Sequence, residues 1–297
     1  MRIGVVKTET EPVLAMPLGE RWLNLSAIYR DYHRVVEQRD GVEPPPDVGA
    51  LVRAGLFNRS FYRRMAEFAQ RHGRLERYAL TPPLDFMLPF RPGKVVAIGR
   101  NYRKHVEEFD NKMPPEPIYF VKTASSCVGC GASIVVKPWY GRVDHEGELG
   151  VVIGKAARQV AAEDAREYIA GYTLVNDVTA RELQKADIAD GQPWFRAKNC
   201  DTFCPVGPAV AFRDALSWPL AEEIEVRVNG ELRQQSNTRH FIFDVPAVLA
   251  AITRFLTLEP GDIVSTGTPE GVGPLHPGDE VEVVSPGIGV LRNPVAG

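Results

Sequence analysis

Cysteine is scarce, at four among 297 residues. So few thiols in a chain of this length do not make a disulfide framework, and a reducing compartment would keep them free. Cys127-Val-Gly-Cys130 with Cys200 and Cys204 can be written as two zinc-binding pairs, yet Ser, Gly, Asp and Thr flank both pairs and no ribbon-like repeat accompanies them. Small residues in loops are the better reading, and a redox CxxC lacks its βαβ surroundings.

Long apolar runs are missing as well. No stretch approaches the roughly 18 apolar residues of a membrane span. The N-terminus is interrupted by Lys7, Glu9 and Glu11, so it lacks the apolar core of a secretory signal. These absences predict a cytoplasmic protein with no membrane partner. Excess positive charge is also lacking: 35 Lys and Arg stand against 38 Asp and Glu, for a net charge of -3. That balance predicts no nucleic-acid partner. No GxSxG, HExxH or GxGxxG signature occurs, which leaves nucleophilic serine and nicotinamide chemistry without support.

What is present is an ordinary globular composition, with 44% hydrophobic residues, enough for a large core. Residues 1–80 read as a small N-terminal α+β domain, with strands near 2–6 and 12–16 and helices near 26–36 and 61–70. Thr81-Pro82-Pro83 and Pro89-Phe-Arg-Pro-Gly93 then punctuate the chain, and residues 81–297 form the second, mainly β unit. Short β-branched runs at 95–98, 133–136, 149–153, 172–175 and 223–228 predict strands, with more at 262–264, 280–284 and 289–291. Asn229-Gly230 predicts a hairpin. Helices are expected over 161–170, ending at a left-handed Gly171, from a Thr179-x-x-Glu182 capping box towards 187, and after Asp244 with Phe255 on the apolar face.

Three acidic residues stand out. Glu146 and Glu148, two apart at the mouth of an apolar strand, point to one face, and like charges there call for a cation such as a hard divalent ion. Asp177 ends a neighbouring strand and can join them. A solvated strand face with Lys or Arg opposite would show the same spacing. If residues 101–111 are helical, His105 and Glu108 share a face, as an oriented general base or as a surface ion pair.

Together these segments resemble the fumarylacetoacetate hydrolase family. The matching stretches are Ala97-Ile-Gly-Arg-Asn-Tyr-Arg-Lys-His105-Val-Glu-Glu108, Asp144-His-Glu146-Gly-Glu148-Leu-Gly-Val-Val-Ile-Gly154 and Gly171-Tyr-Thr-Leu-Val-Asn-Asp177-Val-Thr-Ala-Arg181-Glu-Leu-Gln184. Two more follow, around Trp194-Phe-Arg-Ala-Lys198 and Gly261-Asp-Ile-Val-Ser-Thr-Gly-Thr268-Pro-Glu-Gly-Val-Gly273. Their order matches the family over about residues 94–297.

The resemblance implies an α+β, mainly β fold, a mixed β-sandwich or roll with peripheral helices, as a homodimer. It implies that Glu146, Glu148 and Asp177 ligate one Mg²⁺ or Mn²⁺, with Lys198 as the site lysine and His105 and Glu108 as the dyad of a lid helix. Arg181, Gln184 and Thr268 are implied to contact a 2-oxo acid substrate. The implied reaction is hydrolysis of a C–C bond in a 2,4-dioxo acid or acylpyruvate, giving pyruvate and a carboxylic acid. Family members also decarboxylate or isomerise oxaloacetate-like or 2-hydroxymuconate-like acids. A metal-binding scaffold without activity would predict loss of the dyad or Lys198, and both are kept. The N-terminal residues and the Cys127/Cys130 pair lie outside the family motifs.

Overall fold

In a computed structural model of the chain, residues 1–71 and 75–297 are described. The predicted strands mostly form, and their burial shows why two kinds of sequence pattern occur. Gly147–Ile153, Ile169–Asn176 and Cys204–Phe212 are buried almost throughout, because both faces of their sheet are covered. Glu223–Val228 and Glu280–Ser285 bury alternate residues instead, since only one face of their sheet meets the core.

The larger sheet runs Arg21–Asn24, Pro12–Leu18, Arg2–Lys7, Cys204–Phe212, Ile169–Asn176, Gly147–Ile153, Ile263–Ser265, Val95–Gly99, Ile118–Lys122, and Cys127–Val128 pairs off this path with Cys204–Phe212. A second sheet orders Glu231–Asn237, Glu223–Val228, Glu280–Ser285, Gly289–Ala296 and Ile134–Val135. A small third sheet joins Thr179–Ala180, Val143–His145 and Gly273–Pro274. This is the mixed, strand-rich α+β architecture that the resemblance implied. Among the described residues no helix is long and apolar enough to cross a membrane.

Two cores flank the larger sheet. Leu149, Val151, Tyr172 and Leu174 pack with Val226, Val283 and Leu291 of the second sheet. Val152, Val175 and Val210 point the other way, towards Leu25, Ile28, Phe61 and Met65. Those last four belong to helices Leu25–Val35 and Arg59–Arg71, so the N-terminal segment covers the outer face. Its strand Arg2–Lys7 also pairs with Cys204–Phe212, Ile3 opposite Val210, and so the three N-terminal strands extend the same sheet as the strands after residue 94.

The hairpin forms as expected, with Asn229 and Gly230 both at positive φ. Several helix expectations need correction. Residues 161–170 give a 3₁₀ segment, Ala162–Tyr168, after which the chain enters the strand Ile169–Asn176; Gly171 is a ladder residue opposite Phe212 and not a cap. A Cβ on Gly171 would lie 2.0 Å from the Ala211 carbonyl oxygen, so glycine is required by close strand approach. The Thr179 capping box does not form: Thr179 lies in a strand and donates to the Asp177 carbonyl, and the helix is Arg181–Ala189. The helix capped by Asp244 stops at Thr253, leaving Phe255 71% exposed. The helix expected over 101–111 shortens to Arg103–Glu108, and a helix at Val48–Arg53 goes unpredicted.

Candidate active site

The antiparallel pairing of Gly147–Ile153 with Ile169–Asn176 brings the acidic residues together. Val175 stands opposite Glu148 and Asn176 opposite Gly147. Beyond the ladder, the Asp177 amide donates to the Glu146 carbonyl at 2.8 Å, and the Glu146 amide to Asn176 Oδ1 at 2.9 Å. Glu146 thus lies in the break between Val143–His145 and Gly147–Ile153, held by side chain and backbone together. Oxygens of Glu146, Glu148 and Asp177 come within 4.8 Å of one another, and all three residues are buried.

Cations surround two of these carboxylates. Lys198 Nζ donates to Glu146 Oε2 and to Asp177 Oδ2, each at 2.6 Å. Arg181 donates to Glu146 Oε1 at 2.5 Å, to Asp144 Oδ2 at 2.9 Å and to Gln184 Oε1 at 2.7 Å. Burial opposes ionisation of Glu146, but the Lys198 and Arg181 charges outweigh it and hold its pKa well below the usual range. Burial likewise disfavours charge on Lys198, and the Asp177 and Glu146 carboxylates more than restore it, raising its pKa.

Glu148 differs. It accepts from Ser265 Oγ at 2.6 Å and the Gly267 amide at 2.8 Å, neither of them a charge. Burial and the facing Asp177 carboxylate push its pKa up to about 8. A buried all-oxygen donor set with one carboxylate lacking a cation of its own suits a hard divalent ion. Mg²⁺ and Mn²⁺ both fit that chemistry.

His105 is buried on the short helix Arg103–Glu108, its Nδ1 3.1 Å from Glu108 Oε2. Glu108 is itself fixed by the Gly271 amide at 3.1 Å. Asn101 anchors the approach to this helix by donating to the carbonyls of Thr266, at 2.8 Å, and Phe243, at 3.0 Å. His105, the three carboxylates, Lys198, Arg181, Gln184 and Thr268 line one cavity of about 200 Å³, and Glu108 reaches it through His105. Arg181 meets protein acceptors through Nε, Nη1 and Nη2, and the Thr268 hydroxyl donates to the Gly147 carbonyl while accepting from Gln234 Nε2.

Sequence reading missed Lys122. It is fully buried, donates to Asp177 Oδ1 at 2.5 Å and has a second contact to the Val178 carbonyl. A lone lysine closing the apolar strand Ile118–Lys122 was the available signal. Asp144, which anchors Arg181 and also accepts from Arg142 at 2.6 Å, was missed too. The cysteines do not gather: Cys127 and Cys204 are strand neighbours, whereas Cys130 and Cys200 contact the carbonyls of Val290 and Arg196. Among the described residues, only Glu146, Glu148 and Asp177 form a group able to hold a metal ion.

Known proteins resemble this chain in sequence and in fold. Mitochondrial oxaloacetate tautomerase of Rattus norvegicus is 38% identical over 266 residues, spanning 83% of this chain and 84% of that protein. The fumarylacetoacetate hydrolase of Exiguobacterium antarcticum superposes with a TM-score of 0.77 at 30% identity, covering 100% of this chain and 99% of the other. The 5-carboxymethyl-2-hydroxymuconate delta-isomerase of Mycobacterium smegmatis gives 0.72 at 31% identity, covering 100% and 98%. Residues 94–296 match the family described as fumarylacetoacetate (FAA) hydrolase, C-terminal, and with the carboxylate triad at the meeting of its two central strands the chain belongs to the fumarylacetoacetate hydrolase family.

Proposed function

We propose that the protein is a divalent-metal-dependent enzyme of 2-oxo acids that hydrolyses a C–C bond in an acylpyruvate-type 2,4-dioxo acid. The observation that carries this reading is the convergence of the carboxylate triad and the His105–Glu108 pair on one cavity. Glu146, Glu148 and Asp177 would hold Mg²⁺ or Mn²⁺, and a bound ion supplies fixed positive charge that stabilises an oxygen becoming negative.

The side chains divide the remaining work. Glu108 accepts from His105 Nδ1 and so leaves Nε2 as the basic nitrogen. His105 removes a proton from water, and the resulting hydroxide adds to the distal carbonyl of the substrate. The C–C bond then breaks, its electron pair leaving as the enolate of pyruvate, while the acyl part departs as a carboxylic acid. His105 returns its proton to the enolate carbon. Lys198, a buried ammonium beside Glu146 and Asp177, offsets the enolate charge.

A second reading is keto–enol tautomerisation of an oxaloacetate-like acid, in which His105 moves one proton and no water attacks. The similarity to the rat tautomerase favours it. Product analysis with acetylpyruvate, fumarylpyruvate and oxaloacetate separates the two. Hydrolysis predicts pyruvate plus the matching acid, lost in both His105→Ala and Glu148→Ala. Enol–keto exchange of oxaloacetate without cleavage of either acylpyruvate would overturn hydrolysis in favour of tautomerisation. Release of CO₂ from oxaloacetate that survives His105→Ala would make the protein a decarboxylase.

A further inference from the structure

The metal-dependent chemistry above uses none of the cysteines, and the fold sorts them by the core they reach. Cys127 and Cys204 belong to the core that meets Leu25, Ile28, Phe61 and Met65, whereas Cys130 and Cys200 pack against the core shared with the second sheet. The sequence pair Cys127-x-x-Cys130 is thereby split between two cores.

The partner of Cys127 is distant in sequence. Strand Cys127–Val128 runs parallel to Cys204–Phe212, with Cys127 opposite Cys204. Paired residues of adjacent strands hold their Cα atoms about 5 Å apart, inside the range that a disulfide spans. The two thiols hydrogen-bond to each other, and Cys127 also contacts the Thr123 carbonyl at 3.7 Å. Cys204 is fully buried and Cys127 half-buried, so solvent reaches one thiol of the pair and not the other. The hydrogen bond from Cys204, aided by the Lys122 and Arg91 charges, lowers the Cys127 pKa against the effect of burial. Half-exposed thiols of lowered pKa are the reactive kind.

The pair also sits where two parts of the site meet. Thr123 and the 3₁₀ turn Ala124–Ser126 separate Cys127 from Lys122, and Cys204 lies just beyond Lys198. Asn199 ties the two stretches together, accepting from the Thr123 amide at 2.5 Å and donating to the Val121 carbonyl at 3.0 Å. Cys127 and Cys204 thus join the two segments whose lysines hold Asp177.

We propose that Cys127 and Cys204 are an oxidisable dithiol site, which a hydroperoxide converts into an intrachain disulfide that ties the Lys122 segment to the Lys198 segment. The Cys127 thiolate attacks a peroxide oxygen and the O–O bond breaks; with hydrogen peroxide, the hydroxide that leaves takes up the Cys127 proton as water. The Cys204 sulfur then displaces the oxygen of the Cys127 sulfenic acid, which departs with the Cys204 proton as a second water. Two electrons pass from the thiols to the peroxide, and a dithiol reductant returns them. A reducing compartment keeps such a pair as thiols at rest, and its disulfide is transient. The bond closes a loop of about 77 residues, which stabilises the chain.

The test treats the full chain with a few equivalents of hydrogen peroxide, alkylates the remaining thiols as the chain is unfolded, and maps linked peptides by mass spectrometry. Cys127→Ala and the Cys130→Ala/Cys200→Ala double variant are run in parallel, and the mapping of wild type needs neither to fold. Wild type and the double variant are expected to form one Cys127–Cys204 link that raises Tm and that dithiothreitol reverses. Cys127→Ala keeps Cys204 as a thiol. A link to Cys130 or Cys200, a link between chains, or Cys127 oxidised to the sulfinic acid beside a free Cys204 overturns the proposal. So do thiols that stay free after treatment, and a linked chain whose Tm fails to rise.

Discussion

The Lys122 ammonium, with no exposed surface, donates to Asp177 Oδ1 on the side of the carboxylate opposite the oxygen that Lys198 holds. A buried charge that loses one partner costs far more than a surface pair. Lys122→Met is expected to lower stability by about 3–5 kcal/mol, read from the urea midpoint. An unchanged midpoint would show that Lys198 alone satisfies Asp177.

Divalent metal should stabilise the fold. At one hundred times the dissociation constant the gain is about 2.7 kcal/mol, visible as a rise in Tm that a chelator reverses. Glu148→Ala should remove most of that shift. If millimolar Mg²⁺ and Mn²⁺ both leave wild-type Tm unmoved, the assigned ligand set is wrong.

Stability of the metal-free protein should depend on Glu148. Its pKa is raised in the fold from an ordinary 4.5 to about 8, so its stabilising neutral form counts fully below pH 4.5 and is lost as pH rises to about 8. Metal-free Glu148→Gln should show a flatter decline across that window than wild type. Metal binding should also release protons at neutral pH, measurable by calorimetry in buffers of different ionisation enthalpy. Parallel stability curves for the two proteins would contradict the assignment.

Glu108 acts through His105. Glu108→Gln can still accept from the Gly271 amide but no longer supplies charge beside the imidazole. The expected result is a fall in kcat with KM little changed, smaller than the loss of about 10²–10⁴ expected when His105→Ala removes the base. A rise in KM at constant kcat would assign Glu108 to substrate binding.

Gly171 provides a check on the fold itself. Gly171→Ala would force a methyl group against the Ala211 carbonyl, and a loss of about 3 kcal/mol or more is expected in urea unfolding. Little change would mean that the two strands can separate locally at low cost.

Much of the strand framework was legible because its signals are local. Continuous apolar runs such as Leu149 to Ile153 belong to strands covered on both faces, and alternating ones such as Glu223–Val228 to strands covered on one. The helix expectations failed where a local preference met a stronger distant partner. Residues 161–170 have helical composition, yet Ile169 pairs with Ile153 and draws the chain into the sheet. Thr179 has the sequence of a cap, yet its backbone pairs with Asp144.

The sequence by itself determined the residue types of the site and their order, since Glu146, Glu148, Asp177, Lys198 and the His105–Glu108 pair all sit in short motifs whose spacing can be read along the chain. Only the tertiary structure decided which charges face which. Lys122 meets Asp177 across 55 positions, Arg181 meets Glu146 across 35, and Gly271 fixes Glu108 across 163. Such pairings depend on sheet order and register, and a charged side chain carries no local mark of the partner that burial will oblige it to find.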